Sequence, residues 1–311
     1  MTGVVECARL DGAWGLAAHG KLVFVSSFGS DEILAFHSRT GAFRYALSGD
    51  VDSPEGLAVS GKTLIAASFL DSRLVAFDLD TRTSRTLSLG SPVEVDFEAF
   101  AFVDGAHPFD EAATRDARDA EIALWGDLSG ATADTADDPP PYVDRLKGPE
   151  QLALIGNSSL AVSSLHNNSV LEIDLRTGRL LSVLADGTAD QRFAGPLGVA
   201  VASRGDARIA DASATDGCDG HALSEALVLV AAYRSDAVSV LRRRCASPAT
   251  LNLDDDLLRG PTAIALDATD PGGIYVSAYE ASAVLYFNLS HVPTMDFVAE
   301  RREQRVAARL E

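Results

Sequence analysis

Short apolar runs separated by polar turns fill most of this 311-residue chain. The runs are four to seven residues long and are bounded by Gly, Asp, Ser and Asn. That is the punctuation of strands, not of helices. The pattern also repeats: VSSF at 25–28 is followed 41 residues later by AASF at 66–69. The same kind of segment returns as IALW (122–125), VSSL (162–165), VAAY (230–233) and VSAY (276–279). Five of the six lead through a polar turn into another apolar run: EILAF, RLVAF, SVLEI, AVSVL and AVLYF. Ahead of each comes a third run: AWGLA (13–17), PEGLA (54–58), FEAFA (97–101), PEQLA (149–153), PLGVA (196–200) and PTAIA (261–265). Turns such as HSRTGAF, DLDTRTS and DLRTGRL then lead into a fourth. Four short antiparallel strands, repeated at this length, predict an all-β fold: a six-bladed β-propeller.

The ends of the chain extend the pattern. The sixth unit lacks its fourth strand, but TGVVECARLDG (2–12) matches TGAFRYALSGD (40–50) and TGRLLSVLADG (177–187). Residues Val4–Leu10 are therefore expected to pair with the third strand of the last blade, closing the ring and covering two strand edges. The propeller is expected over 1–291, with inserts at about 104–120 in the third unit and 203–224 in the fifth. Both inserts fall between first and second strands, so both are expected on one face. The third unit is the poorest copy, since SGATADTADDPPP has low β-propensity where its third strand should fall. The tail 292–311 reads as a short helix capped at Thr294, or as a tether.

The segment GPEQLALIGNSSLAVSSLHNNSVLEIDLRTG resembles the NHL-repeat and SMP-30/gluconolactonase-like six-bladed propellers. The resemblance spans nearly the whole chain apart from the two inserts and the tail. It implies the architecture and leaves the activity open. Members of that group include lactonases with a divalent cation in the central tunnel and modules that only bind partners.

Candidate chemistry sits at the second residue of each first strand: Trp14, Glu55, Glu98, Glu150, Leu197 and Thr262. In a propeller these positions gather at the tunnel mouth. Glu55, Glu98 and Glu150 would offer three carboxylates to a hard cation, calcium or zinc, which could polarise an ester carbonyl or activate water. Glu55, in SPEGLA, best matches the corresponding Glu of the lactonases, whereas Leu197 and Thr262 depart from an oxygen-rich set. Asn167 and Asn168 could add amide oxygens, and Trp14 a ligand contact. His166, beside Leu165 on the blade of Glu150, is the candidate general base. The competing structural reading has each Glu satisfying backbone N–H groups at the head of its strand. The residues that end the second strands, Phe28, Phe69, Trp125, Leu165, Tyr233 and Tyr279, are mostly aromatic. A need shared by every blade predicts that they pack between blades. Nearby, Asp71, Asp127 and Asp236 read as turn residues that cap their own backbone. Metal-binding, phosphate-binding and nucleophilic-serine motifs are absent.

Charge and cysteine usage narrow the partners. A net charge of −19 repels phosphate backbones, so no nucleic-acid partner is expected. No apolar stretch is long enough for membrane insertion, and the first residues do not read as a signal peptide. Cys7 reads as a small buried hydrophobe. Cys218 and Cys245 lie in turns of one blade that emerge on the same face, so a disulfide between them is expected if the compartment is oxidising. Asn157, Asn167 and Asn288 head N-glycosylation acceptor patterns. Location stays open at this level: secreted or lumenal for a domain trimmed from a longer protein, cytoplasmic for a complete chain. Two functions follow. One is a scaffold binding a small molecule or protein at the tunnel mouth or insert face. The other is a metal-dependent lactonase or ester hydrolase.

Overall fold

A computed structural model describes residues 9–91, 93, 140–187, 193–202, 226–242, 249–251, 257–267, 270, 272–288 and 294–295. They form an all-β arrangement of five propeller blades, each an antiparallel sheet. The first blade runs β1 (Ala13–His19), β2 (Leu22–Ser27), β3 (Glu32–His37) and β4 (Phe43–Leu47). The second runs β5 (Pro54–Ser60), β6 (Thr63–Ser68), β7 (Arg73–Asp78) and β8 (Ser84–Leu89). Next come β9 (Pro149–Ile155), β10 (Ser159–Ser164), β11 (Ser169–Asp174) and β12 (Leu180–Asp186). The fourth described sheet holds β13 (Pro196–Ala202), β14 (Leu227–Ala232), β15 (Ala237–Arg242) and β16 (Ala249–Leu251). The fifth has three strands, β17 (Pro261–Leu266), β18 (Gly273–Ala278) and β19 (Ala283–Asn288). The chain divides into two compact units, Met1–Glu150 with Ile173–Leu181, and Gln151–Glu172 with Ser182–Glu311.

Strand alternation explains the cores. In the first unit Phe24, Ile33, Leu57, Leu64, Val75 and Phe77 form one buried cluster. In the second unit Val199, Leu229, Val238, Ile274 and Val276 are among the residues of two such clusters. A register shift opens four of the first strands, between Ala13 and Leu16, Pro54 and Leu57, Pro196 and Val199, and Pro261 and Ala263. A bulge there releases the second residue of the strand from the ladder and re-aims its side chain.

Two polar devices recur from blade to blade. A serine late in the second strand ties its own first strand to the next one. Ser26 Oγ accepts from the Gly15 N–H (2.6 Å) and donates to the Glu55 carbonyl (2.7 Å). Ser163 Oγ likewise accepts from the Gln151 N–H (2.9 Å) and donates to the Leu197 carbonyl (2.7 Å). The second device is a left-handed residue in the turn before the third strand. Its side-chain oxygen accepts the backbone N–H that precedes the following first strand. Asp31 (φ 54°) takes Ser53, Asn168 (φ 48°) takes Gly195 and Asp236 (φ 50°) takes Gly260, each at 2.8 Å. Asp and Asn tolerate this conformation better than most side chains.

This second device bears on which described blades are neighbours. Ser72 (φ 52°), in the second blade, accepts from the Gly148 N–H at 3.0 Å. Gly148 directly precedes β9, so the second blade is clasped to the residue before PEQLA. The β8 end reinforces this contact: Leu89 bridges Tyr142 in parallel, and Gly90 N–H donates to the Ser72 carbonyl at 2.8 Å. Five blades are described, and the strands assigned to the third unit lie outside the described residues.

The expected terminal helix is corrected at its first turn. Thr294–Met295 form a short strand, β20, antiparallel to β16 with Thr250 opposite Met295. Pairing with an open strand edge competes with helix capping at Thr294, and a lone capped turn has no cooperative support. The rest of 292–311 lies outside the described residues, as do both inserts. So does the expected closing strand, except Arg9, which pairs with Glu32, and Leu10, which packs against Val25, Leu34 and Phe36. Among the described residues no helix is long and apolar enough to cross a membrane.

Candidate functional site

Three of the predicted positions converge in the first unit. Trp14, Glu55 and Glu150 are each the second residue of a first strand, in β1, β5 and β9. The direct clasp between Ser72 and Gly148 places Glu150 next to Glu55. The two carboxyl groups lie within interaction range of each other, and the Trp14 side chain lies beside Glu150. Both glutamates are buried, at 2% and 1% exposure, whereas Trp14 is 52% exposed. The Trp14 ring lies 6.1 Å from that of Phe28. On the other side, Gly15 admits the Glu55 carbonyl, because a Cβ there would overlap it.

The pair holds a proton. Burial, first, pushes the Glu55 carboxyl well above the ordinary glutamate range, and the charge and hydrogen bond of Glu150 push it further. Burial also raises Glu150, opposed by the hydrogen bonds from Glu55 and Trp14. Two buried carboxyl groups that interact this directly favour a state with one proton between them. Glu55 is the more strongly raised of the two. One oxygen is left over: Glu55 Oε2 is buried and has no hydrogen-bond partner among the described residues.

The fit to a metal can be tested on these donors. Calcium takes six to eight oxygens, and zinc usually four ligands. The described residues bring two carboxyl groups together and no group of three or more His, Cys, Asp or Glu side chains able to hold a metal. The described set therefore falls short of a metal centre. Glu98, the expected third carboxylate, lies outside the described residues.

The other predicted residues are placed as follows. His166 and Asn167 lie in the 3-10 turn Leu165–Asn167, both half-buried. The Asn167 carbonyl accepts from Ser169 Oγ at 3.0 Å. Asn168 Oδ1 is engaged with Gly195 N–H in the clasp described above. Asn157 is exposed in the turn between β9 and β10, and Asn288 Nδ2 donates to Asp270 at 2.8 Å. Cys7, Cys218 and Cys245 lie outside the described residues. Among the residues ending second strands, Phe69, Leu165 and Tyr233 are buried, in keeping with packing, while Tyr279 is exposed. Asp71 pairs with Arg73.

Sequence reasoning missed the hydroxyl ties and the clasp. A signal for the first was present: serine recurs at one strand position, as Ser26, Ser163 and Ser277, with Ala67 and Ala231 in the other two described blades. No family model matches the chain, and no curated protein matches it.

Proposed function

We propose that the chain is a binding scaffold of the NHL/SMP-30-like propeller type, without a complete catalytic set. The observation that supports this reading is the union of Trp14, Glu55 and Glu150. The blades share a common frame, with turn clasps and, in three of the five described blades, a serine at the tie position. They differ at the second residue of the first strand, where Trp, Glu, Glu, Leu and Thr stand in the described blades. Positions that vary on a repeated frame are the ones free to recognise a ligand. Here the varied residues present a half-exposed indole backed by a buried acid pair. The partner recognised there is a small molecule or a protein segment.

The lactonase reading would need these acids to hold a divalent cation. One experiment separates the two. Metal content of the purified protein is measured, melting is followed with and without EDTA, and lactone hydrolysis is assayed. The scaffold reading expects no stoichiometric cation, a melting temperature indifferent to EDTA, and no turnover. One cation per chain, lost in Glu55→Gln together with lactone hydrolysis, would replace it with the enzyme reading.

A further inference from the structure

We infer that the ligand recognised at Trp14, Glu55 and Glu150 carries a protonated amine. The inference rests on the binding reading above and names the chemistry of the ligand. It starts from Glu55 Oε2, an acceptor on a side chain that is 2% exposed and that lacks a donor among the described residues. A buried acceptor without a partner loses much of the hydrogen-bond energy that water would have given it. The missing group is therefore a donor. An anion is excluded by the neighbouring charge of Glu150 and by the overall charge of −19.

Charge selects among the remaining donors. The interactions described for the pair are those of Glu55, Glu150 and Trp14, with no cationic side chain among them. A buried acceptor beside a second buried acid, with no cation described next to either, is matched by an ammonium, which brings donors and a countercharge together. An ammonium group has three N–H donors: one can go to Glu55 Oε2 and another to Glu150. The aromatic wall distinguishes this from a hard dication. Trp gives the best cation–π surface of the side chains, and its exposed half is available to an organic cation. Calcium would ask for several more oxygens than the described donors supply.

Access runs past Trp14. Both glutamates are buried, so an entering amine has to displace groups packed over them, the half-exposed Trp14 indole beside Glu150 among them. Binding should therefore register in tryptophan fluorescence. The chain has two tryptophans, Trp14 and Trp125, and a Trp14→Phe variant assigns the signal.

The test uses the full chain, with benzylamine, benzyl alcohol and calcium chloride titrated separately at pH 7 and followed by calorimetry and fluorescence. Benzylamine is expected to bind saturably, at least about tenfold more tightly than the alcohol of similar shape, a gap equivalent to one charge-assisted contact. The fluorescence change should vanish in Trp14→Phe, and Glu150→Gln should weaken benzylamine by about tenfold or more. The comparison of amine with alcohol on the unmodified chain needs no variant, so a misfolded variant does not decide the result. Equal binding of the two aromatics would overturn the inference in favour of a plain apolar site. One-to-one calcium binding without amine binding would overturn it in favour of a metal, and no saturable binding of benzylamine would overturn it outright. These outcomes differ from failure of the scaffold reading itself, which is marked by lactone turnover with a bound cation.

Discussion

Replacing Glu55 by Gln should alter the pH dependence of stability more than stability itself. In the folded chain Glu55 is buried beside Glu150, and burial first, then that neighbour, raise its carboxyl and favour the neutral form. Glutamine has the same shape, is neutral at every pH and can donate from Nε2 in the same direction. The sign follows from where the proton sits. Below the ordinary glutamate value of 4.5 the carboxyl is protonated folded or unfolded, so burial carries no charge penalty. Above it the unfolded chain releases the proton while the folded site keeps it. Wild-type stability then falls by about 1.4 kcal/mol per pH unit until the raised folded value is reached, and levels off beyond it. Over pH 5 to 7 this amounts to at most about 2.7 kcal/mol. Glu55→Gln lacks this slope. It also brings one extra buried N–H, at roughly 1 kcal/mol, which does not vary with pH. Urea unfolding of both proteins at pH 5, 6, 7 and 8 gives the difference directly, and other titrating groups largely cancel. The variant should gain on the wild type as pH rises, starting level with it or slightly less stable at pH 5. A difference that stays flat, or that moves against the variant with rising pH, would show that Glu55 is ionised in the folded protein and would refute the shared proton.

Other outcomes follow from the polar ties and close approaches. Ser163→Ala removes the partner of both Gln151 N–H and the Leu197 carbonyl and should cost roughly 1–3 kcal/mol in urea unfolding. Ser239→Ala is the control: Ser239 Oγ is buried and has no partner among the described residues, so its loss should cost much less. Gly198→Ala sets a Cβ 2.7 Å from both the Ala263 Cα and the Thr262 carbonyl oxygen, backbone that cannot swing aside. It should lower the melting temperature by several degrees, on the order of 1–3 kcal/mol of overpacking. Asn168→Ala deletes the acceptor for Gly195 N–H and leaves an alanine at φ 48°, so about 1–3 kcal/mol is expected. Asn168→Asp should retain most of the stability.

The strand grammar was legible because it is local. The period-two alternation in segments such as LVFVSS and TLIAAS, and the turn residues between them, mark each strand without reference to anything distant. The first-strand positions were legible for the same reason: Trp14, Glu55 and Glu150 each stand second in a first strand of the repeat. What the chain did not show was adjacency. Glu55 and Glu150 are separated by 95 positions, and the Ser72 to Gly148 bond shows that their strands are neighbours. Nor is the state of the acids a local property. A glutamate on a half-exposed turn and one sealed against another glutamate read alike in sequence, since desolvation is supplied by the packing. Thr294 shows the opposite failure. Its local signal for helix capping was real, but an edge at β16 was available to pair with it.

The clasp made by the left-handed turn residue has a consequence for how such chains change over time. One side-chain oxygen grips one backbone N–H, and the identity of the gripped segment is immaterial to the bond. Asp31 holds Ser53, Ser72 holds Gly148, and Asn168 holds Gly195 by the same geometry, although 22, 76 and 27 positions separate the members. A seam of that kind is standardised like a coupling. Modules can be lengthened, dropped or spliced between two grips without redesigning either side, which leaves the head of each first strand free to drift toward new specificities.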